Sequence, residues 1–358
     1  MNAPFLRTRR QVRLAEFGDA QERRRIAAFV ADHPGATPFH QPQWLLAVQA
    51  GTGNPALALL VEQGGELVGY LPLSEVHSPI FGRVLASSGF AVDGGLLVND
   101  GLDTAAVFAA LESLAGQRSC PTVELRGGSL PVERAGWTIR SEVHCGFVAP
   151  LAEGAEPLLL AIPRKQRAEV RKGLEADLTV EVGTGEGDRA AHYRVYAESV
   201  RNLGTPVFPR PLFDAVLDSF GTDADILTVR SQGRPVASVL SLYYRGAVLP
   251  YWGGGTHEAR RLRANDRMYF ELMRHARSRG CDRFDFGRSK TNSGAYHFKR
   301  NWGFEPTPLT YAAWTAPGSP VRDANPNSAG NAALAALWKR LPLPIANRIG
   351  PLIAQGLG

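Results

Sequence analysis

Apolar residues recur along this chain at two spacings, and the spacing alternates from one segment to the next. Gln11-Val-Arg-Leu-Ala alternates as a strand does, with side chains pointing to opposite faces. From Ala20 to Ala31 the apolar positions Ile26, Phe29 and Val30 fall at helical spacing. Trp44, Leu45 and Val48 share a face of a second helix between Phe39 and Gln49. Ala56-Leu-Ala-Leu-Leu-Val, the pair Gly64-Gly65 and Leu67-Val-Gly-Tyr-Leu-Pro-Leu then read as a hairpin. A strand at Gly95-Leu-Leu-Val, a helix from Thr104 to Ala115 and a strand at Cys120-Pro-Thr-Val-Glu-Leu follow. Gly136-Trp-Thr-Ile and Cys145-Gly-Phe-Val close the half as a second hairpin.

The second half repeats this order. A helix completed by Asp214–Phe220 precedes Asp225-Ile-Leu-Thr-Val-Arg, Gly233 and Pro235-Val-Ala-Ser-Val-Leu-Ser-Leu. Val61, Gly65 and Val68 match Val229, Gly233 and Val236 in one register. Leu249-Pro-Tyr-Trp reads as a strand and Arg267–Arg279 as a helix, and Cys281-Asp-Arg-Phe-Asp-Phe parallels Cys120-Pro-Thr-Val-Glu-Leu. The expected fold class is therefore α/β (α+β), one unit duplicated in tandem. The expected divisions are 1–150 and 151–315, a Pro/Gly/Asn/Ser-rich linker at 316–330, and an amphipathic tail at 331–358. Between the halves a helix is expected from Pro163, with Gly173 as its stop.

Charge narrows the partners. Lys and Arg outnumber Asp and Glu by 40 to 34, a net charge of +6 that favours anionic ligands without choosing among them. Three dispersed cysteines (Cys120, Cys145, Cys281) form no CxxC pair, and the histidines show no metal-ligand spacing, so neither a disulfide framework nor a metal site is expected. The first residues lack a long apolar core, and no stretch reaches the ~20 apolar residues that span a bilayer. The expected location is the cytoplasm.

Three constellations carry candidate chemistry. Arg164, Arg167 and Arg171 share a helix face flanked by Lys165 and Lys172, against a single acid, Glu169. That face fits phosphate, or is a solvated helix surface. After Tyr251-Trp252-Gly-Gly-Gly, the basic run with Arg260, Arg261 and Arg263 enters a helix for which Asn265 or Asp266 is the expected N-cap. Such a helix start favours anions. The third lies in Phe284-Asp-Phe-Gly-Arg-Ser and Tyr296-His-Phe-Lys-Arg-Asn-Trp-Gly-Phe. Asp285 sits in an apolar strand and needs a partner, which Arg288 or Lys299 can supply, either in catalysis or as a structural ion pair.

These same stretches, with Ile162-Pro-Arg-Lys-Gln-Arg and Phe39-His-Gln-Pro-Gln-Trp, resemble the Fem-type transferases, which are tandem GNAT-fold acyltransferases. Within them the chain is most similar to the FemAB-related subgroup associated with PEP-CTERM and exopolysaccharide systems. The resemblance implies two GNAT-like domains and N-acyl transfer, with an aminoacyl group moving from aminoacyl-tRNA to an amine of a peptidoglycan-like or exopolysaccharide-like envelope precursor. Acetyl-CoA is the alternative donor, although Arg260-Arg-Leu-Arg-Ala-Asn lacks the glycine expected of its pyrophosphate loop. A non-catalytic binding protein for a polysaccharide precursor is the alternative function. No bound cofactor is implied, since the acyl donor is a co-substrate.

By role, Lys299 matches the Fem-type Phe-Lys position and would steady negative charge or hold a carboxylate. Arg288 and Tyr296 would support it, Asp285 would orient Arg288 or accept a proton, and His297 is the base by residue type. Arg164, Lys165, Arg167, Arg171, Tyr251, Trp252, Arg260, Arg263 and Asn265 would bind substrate. The tail places Leu334, Leu337, Trp338 and Leu341 on one helix face beside Lys339 and Arg340. It would dock on the protein or lie on an anionic membrane at the inner face.

Overall fold

The computed structural model describes residues 10–322 and 335–357. The first half contains β1 (Arg10–Leu14), α1 (Ala20–Asp32), α2 (Pro42–Thr52), β2 (Ala56–Gln63), β3 (Glu66–Ser78), β4 (Gly82–Ser87), β5 (Leu97–Val98), α3 (Ala105–Gln117) and β6 (Thr122–Arg126). Next come β7 (Trp137–Pro150), α4 (Ala155–Ala161), α5 (Arg164–Glu175), β8 (Thr179–Gly183), α6 (Glu186–Leu203), α7 (Arg210–Phe220), β9 (Ala224–Ser231), β10 (Arg234–Tyr244) and β11 (Ala247–Gly255). The chain continues through α8 (Ala259–Leu262), α9 (Ala264–Ser278), β12 (Arg283–Asp285), β13 (Ser289–Lys290), α10 (Gly294–Asn301), β14 (Pro306–Thr315) and α11 (Leu343–Ala354).

Two compact units result. Unit 1 comprises 1–140, 310–322 and 356–358; unit 2 comprises 141–309 and 323–355. Unit 1 has the strand order β1-β2-β3-β4-β6-β14, antiparallel except for the parallel pair β4–β6. Leu71, Leu73, Leu85, Val123 and Leu125 bury one face of it against Val107, Phe108 and Leu111 of α3. Unit 2 has the order β8-β9-β10-β11-β12-β7, with β11–β12 as its parallel pair. Val229, Val239 and Val248 pack there against Met268, Leu272 and Met273 of α9. Parallel neighbours need a crossover, and α3 and α9 supply it.

The duplication is visible residue by residue. In the β2–β3 hairpin Gly69 pairs Val61 and Leu67 pairs Glu62, which leaves Val68 as the extra residue of a bulge. In the β9–β10 hairpin Ala237 pairs Val229 and Pro235 pairs Arg230, which leaves Val236 extra. These are the two valines that the sequence register aligns. The ends of α3 and α9 match as well. Arg118 and Arg279 both have φ −87° and ψ 1°, and a left-handed residue follows each, Ser119 at φ 52° and Gly280 at φ 84°. The Cys120 and Cys281 amides then donate back to the Ala115 and Ala276 carbonyls, each at 2.9 Å. This closes both helices with the same left-handed cap.

Some sequence expectations give way. The closing hairpin at 136–148 is one unbroken strand, β7. The counterpart of β11 is β4, not Gly95-Leu-Leu-Val, because only β4 is parallel to the strand after the crossover helix. Gly173 does not stop α5 but lies inside it, buried against α9, where an added Cβ would meet the Arg263 carbonyl at 2.8 Å. The stretch 316–322 is anchored rather than loose, since Arg322 reaches Glu124 at 2.7 Å within unit 1. Residues 323–330 of the expected linker lie outside the described residues, as does the start of the tail. In the described tail, α11 packs along α6. None of the described helices is long and apolar enough to cross a membrane.

Candidate functional site

β11 and β12 run together for only two register positions, Ala247 with Arg283 and Val248 with Phe284. Beyond them β11 stays with β10, while Asp285 pairs with Val148 of β7 on the other side. Two parallel strands that part this way leave backbone groups without ladder partners and open a cleft at their carboxyl ends, the usual ligand position of such sheets. Just beyond the parting, Trp252 pairs with Leu240 and Pro250 with Ser241, so Tyr251 is the extra residue of a bulge in β11. A bulge re-aims the side chains around it.

On the β12 side the chain turns through Gly287 at φ 67°, a left-handed conformation that glycine adopts without strain. The Gly287 N–H donates to the Asp285 carboxylate at 2.8 Å. Lys299, on α10, donates from Nζ to the carbonyls of Gly287 at 3.1 Å and Arg288 at 3.0 Å. Its ammonium lies 5.3 Å from the centre of the Phe147 ring and 5.6 Å from that of Phe286. Burial among these rings pushes the Lys299 pKa down to about 8; the Asp285 charge opposes that drop and Arg288 adds to it. Burial likewise raises the Asp285 pKa, against the Gly287 amide and the Lys299 charge. A half-buried acid on the turn and a buried lysine packed over it thus meet, each displaced toward its neutral form.

α10 selects which of its residues join this cluster. It begins at a Ser293 side chain that accepts from the Tyr296 amide at 3.2 Å. Tyr296 and Lys299, three apart, share the inner face, and the Tyr296 ring meets Phe147 edge-on at 5.5 Å. His297 falls on the outer face and is exposed. Trp252 belongs to another packing set, buried with Phe213 at 4.8 Å and Phe208 at 6.2 Å.

The basic helix splits into two faces. Inward, Gln166 of α5 donates to Asp266 at 2.6 Å; at the helix surface Glu169 forms ion pairs with Arg263 at 2.5 Å and Lys172 at 2.8 Å. Outward, Arg164, Arg167, Arg171 and Lys172 line a surface depression, and Arg164, Lys165 and Arg171 are exposed. Asn265 and Asp266 do not cap α9, as the sequence suggests. Arg263 precedes the helix at φ 54°, and Asn265 sits inside the first turn, tight against Gly255. Arg260 and Arg261 form part of α8. Among the described residues, no three His, Cys, Asp or Glu side chains gather as metal ligands.

Phe147 and Gln166 are the contributors that sequence reading missed. Phe147 reaches Lys299 only because β7 lies beside β12, and nothing local marks that pairing. Gln166 looks like one more polar residue of a basic helix. The pair Gln166–Asp266 had one signal, an uncharged residue amid cations, too slight to read alone.

Unit 1 places a different chemistry at the matching turn. Glu124 occupies the position of Asp285 and contacts Arg322 at 2.7 Å and Arg126 at 3.3 Å. Burial works against its ionisation, but the two guanidiniums outweigh it and hold its pKa below the ordinary value. That turn is a closed ion-pair network. The matching turn of unit 2 instead brings an acid, Asp285, together with a buried lysine, Lys299.

Residues 164–300 match the acetyltransferase (GNAT) domain family. No curated protein matches the chain by sequence. Among solved structures, a FemX crystal structure aligns with a TM-score of 0.63 at 15% identity, covering 89% of this chain and 98% of that one. A tandem GNAT protein from the clavulanic acid biosynthesis pathway gives 0.56 at 14% identity, with 87% and 100% covered. The DUF2156 domain of a putative lysylphosphatidylglycerol synthetase from Agrobacterium fabrum gives 0.52 at 14%, with 89% and 95% covered. At these identities the likeness shows the fold, which is tandem and GNAT-like.

Proposed function

We propose that the chain is an N-acyltransferase whose reaction takes place where β11 and β12 part in unit 2. The observation that carries this reading is the turn where buried Lys299 meets half-buried Asp285 at the mouth of that parting, inside the segment that matches the acetyltransferase domain family. In the reaction, an amine nitrogen attacks the carbonyl carbon of an activated ester or thioester. The new C–N bond forms, the C–O or C–S bond breaks, and the proton lost by the amine leaves with the departing group.

The residues divide this work. An ammonium has three N–H donors, and Lys299 spends two on the Gly287 and Arg288 carbonyls. The third is the donor offered to the developing oxyanion or to a substrate carboxylate. Asp285, whose pKa is raised, is suited to take the amine proton in transit. Tyr296 and Phe147 exclude water beside the ammonium. Arg288 and the outward cations of α5 would draw in an anionic substrate.

An aminoacyl donor, as the Fem-type resemblance implies, fits better than acetyl-CoA, and an envelope precursor amine is the proposed acceptor. The first turn of α9, where a pyrophosphate would seat, is packed by α5 at Gly173 and tied by Gln166. No glycine lies between Thr256 and Arg263 to open that loop. Acetyl-CoA stands second because the matched family is described as an acetyltransferase domain.

The test is transfer to an amine acceptor from each donor separately, read by mass spectrometry. Product is expected with aminoacyl-tRNA, and Lys299→Met should lower its rate about 100-fold, the loss usual for one oxyanion donor. Product from acetyl-CoA alone would reassign the donor. An undiminished Lys299→Met rate, or no product from either donor, would sink the reading.

A further inference from the structure

α11 turns its small residues inward and its large ones outward. Ala346, Gly350 and Ala354 are buried, and α6 is the helix along which α11 packs. An added Cβ on Gly350 would lie 3.1 Å from the Val207 backbone nitrogen, so the approach depends on that glycine. On the opposite side Ile345, Ile349 and Leu352 recur at helical spacing and remain 46, 42 and 68% exposed. Leu337, in the helical turn before α11, is 61% exposed, and Leu203 at the end of α6 is 65% exposed. Lone exposed leucines need no explanation, but an exposed stripe of branched aliphatics on one short helix does.

Charge identifies the occupant. Residues 331–358 contain Lys339, Arg340 and Arg348 and no Asp or Glu. All three cations are exposed. Arg201 of α6 donates to the Lys339 carbonyl at 3.2 Å, which holds this segment on unit 2. A second copy of the chain would bring the same cations against these, and like charges disfavour that contact. An anionic surface with an apolar interior satisfies both halves of the pattern.

We propose that this face rests on an anionic phospholipid surface, with Ile345, Ile349 and Leu352 at the acyl-chain boundary and Lys339, Arg340 and Arg348 among the headgroup phosphates. The proposal is independent of the transfer reaction.

Flotation of the full chain with vesicles tests it. Vesicles of phosphatidylcholine mixed with phosphatidylglycerol should carry the protein at low salt, and phosphatidylcholine alone should not. The paired change Ile349→Glu with Leu352→Glu should abolish flotation. Arg348→Gln should weaken it about fivefold, the worth of one surface cation near such a membrane. The altered side chains are exposed, and circular dichroism confirms that each variant is folded. No flotation of the unaltered chain with anionic vesicles overturns the proposal, as does flotation that survives the paired change. Dimerisation in light scattering that the same pair abolishes, without flotation, assigns the face to a second copy and also overturns it.

Discussion

A lysine and an aspartate that share one turn can each be read only against its surroundings. Lys299 is displaced to about 8 because aromatic rings replace water around it. If its ammonium is the working form, transfer should fall as pH rises through about 8, where the proton is lost. Lys299→Arg keeps the charge at every accessible pH. Its alkaline limb should therefore move upward or vanish, even if the rate at neutral pH drops. A pH–rate profile of the two proteins checks this, and an alkaline limb that stays in place excludes Lys299 as its origin. The unit 1 counterpart, Glu124, shows how the same position becomes structural when two guanidiniums face it. The sequence offered Asp285 and Lys299 as partners. It did not reveal that Lys299 would spend its donors on backbone carbonyls, because that depends on where α10 sits over the turn.

At the scale of elements, what was legible followed periodicity, and what was missed lacked it. The β2–β3 and β9–β10 hairpins, α3, α9 and the basic helix α5 announce themselves by spacing and glycine pairs. β4, a short run beside Gly82, and α6, with its mixed polar surface, carry weaker patterns and need their neighbours to be seen. α5 shows how tertiary packing changes the meaning of a residue. Gly173 has the composition of a helix stop, yet it is where α5 touches α9. Gly173→Val should push the helices apart, since its Cβ would stand 2.8 Å from the Arg263 carbonyl. A loss of about 2–3 kcal/mol in denaturant unfolding is expected, the usual cost of overpacking. Stability unchanged or increased by that substitution would mean that α5 packs elsewhere.

For the whole molecule, the tandem cut near residue 150 is simpler than the arrangement found. Strand β14 leaves the second half of the sequence and pairs with β6, with Tyr311 opposite Arg126 and Thr315 opposite Thr122. Arg322 follows it and completes the ion-pair network of unit 1. Unit 1 therefore depends on residues 310–322, which follow most of unit 2 in the chain. Arg322→Ala should destabilise unit 1 by about 2 kcal/mol, below the range for a fully buried pair because Glu124 keeps Arg126 and some water contact. Limited proteolysis should then cut first within 10–140; cleavage confined to 141–309 would place the anchor in the wrong unit.

The sequence by itself determined the local elements and their duplication. The period of apolar positions, the glycine turns and the shared order around Cys120 and Cys281 are properties of short stretches, and short stretches carry them. It also determined the asymmetry, because only the second copy has Phe298-Lys299 and the basic loop. Tertiary structure alone decided which strands part, that Phe147 arrives from β7 to strip water from Lys299, and that His297 points away. It also decided that α11 docks by its small residues and leaves its large ones uncovered. These outcomes rest on contacts between residues far apart in the chain. Burial of Lys299 and the charges around it, which set the chemistry of the turn, exist only once those contacts have formed.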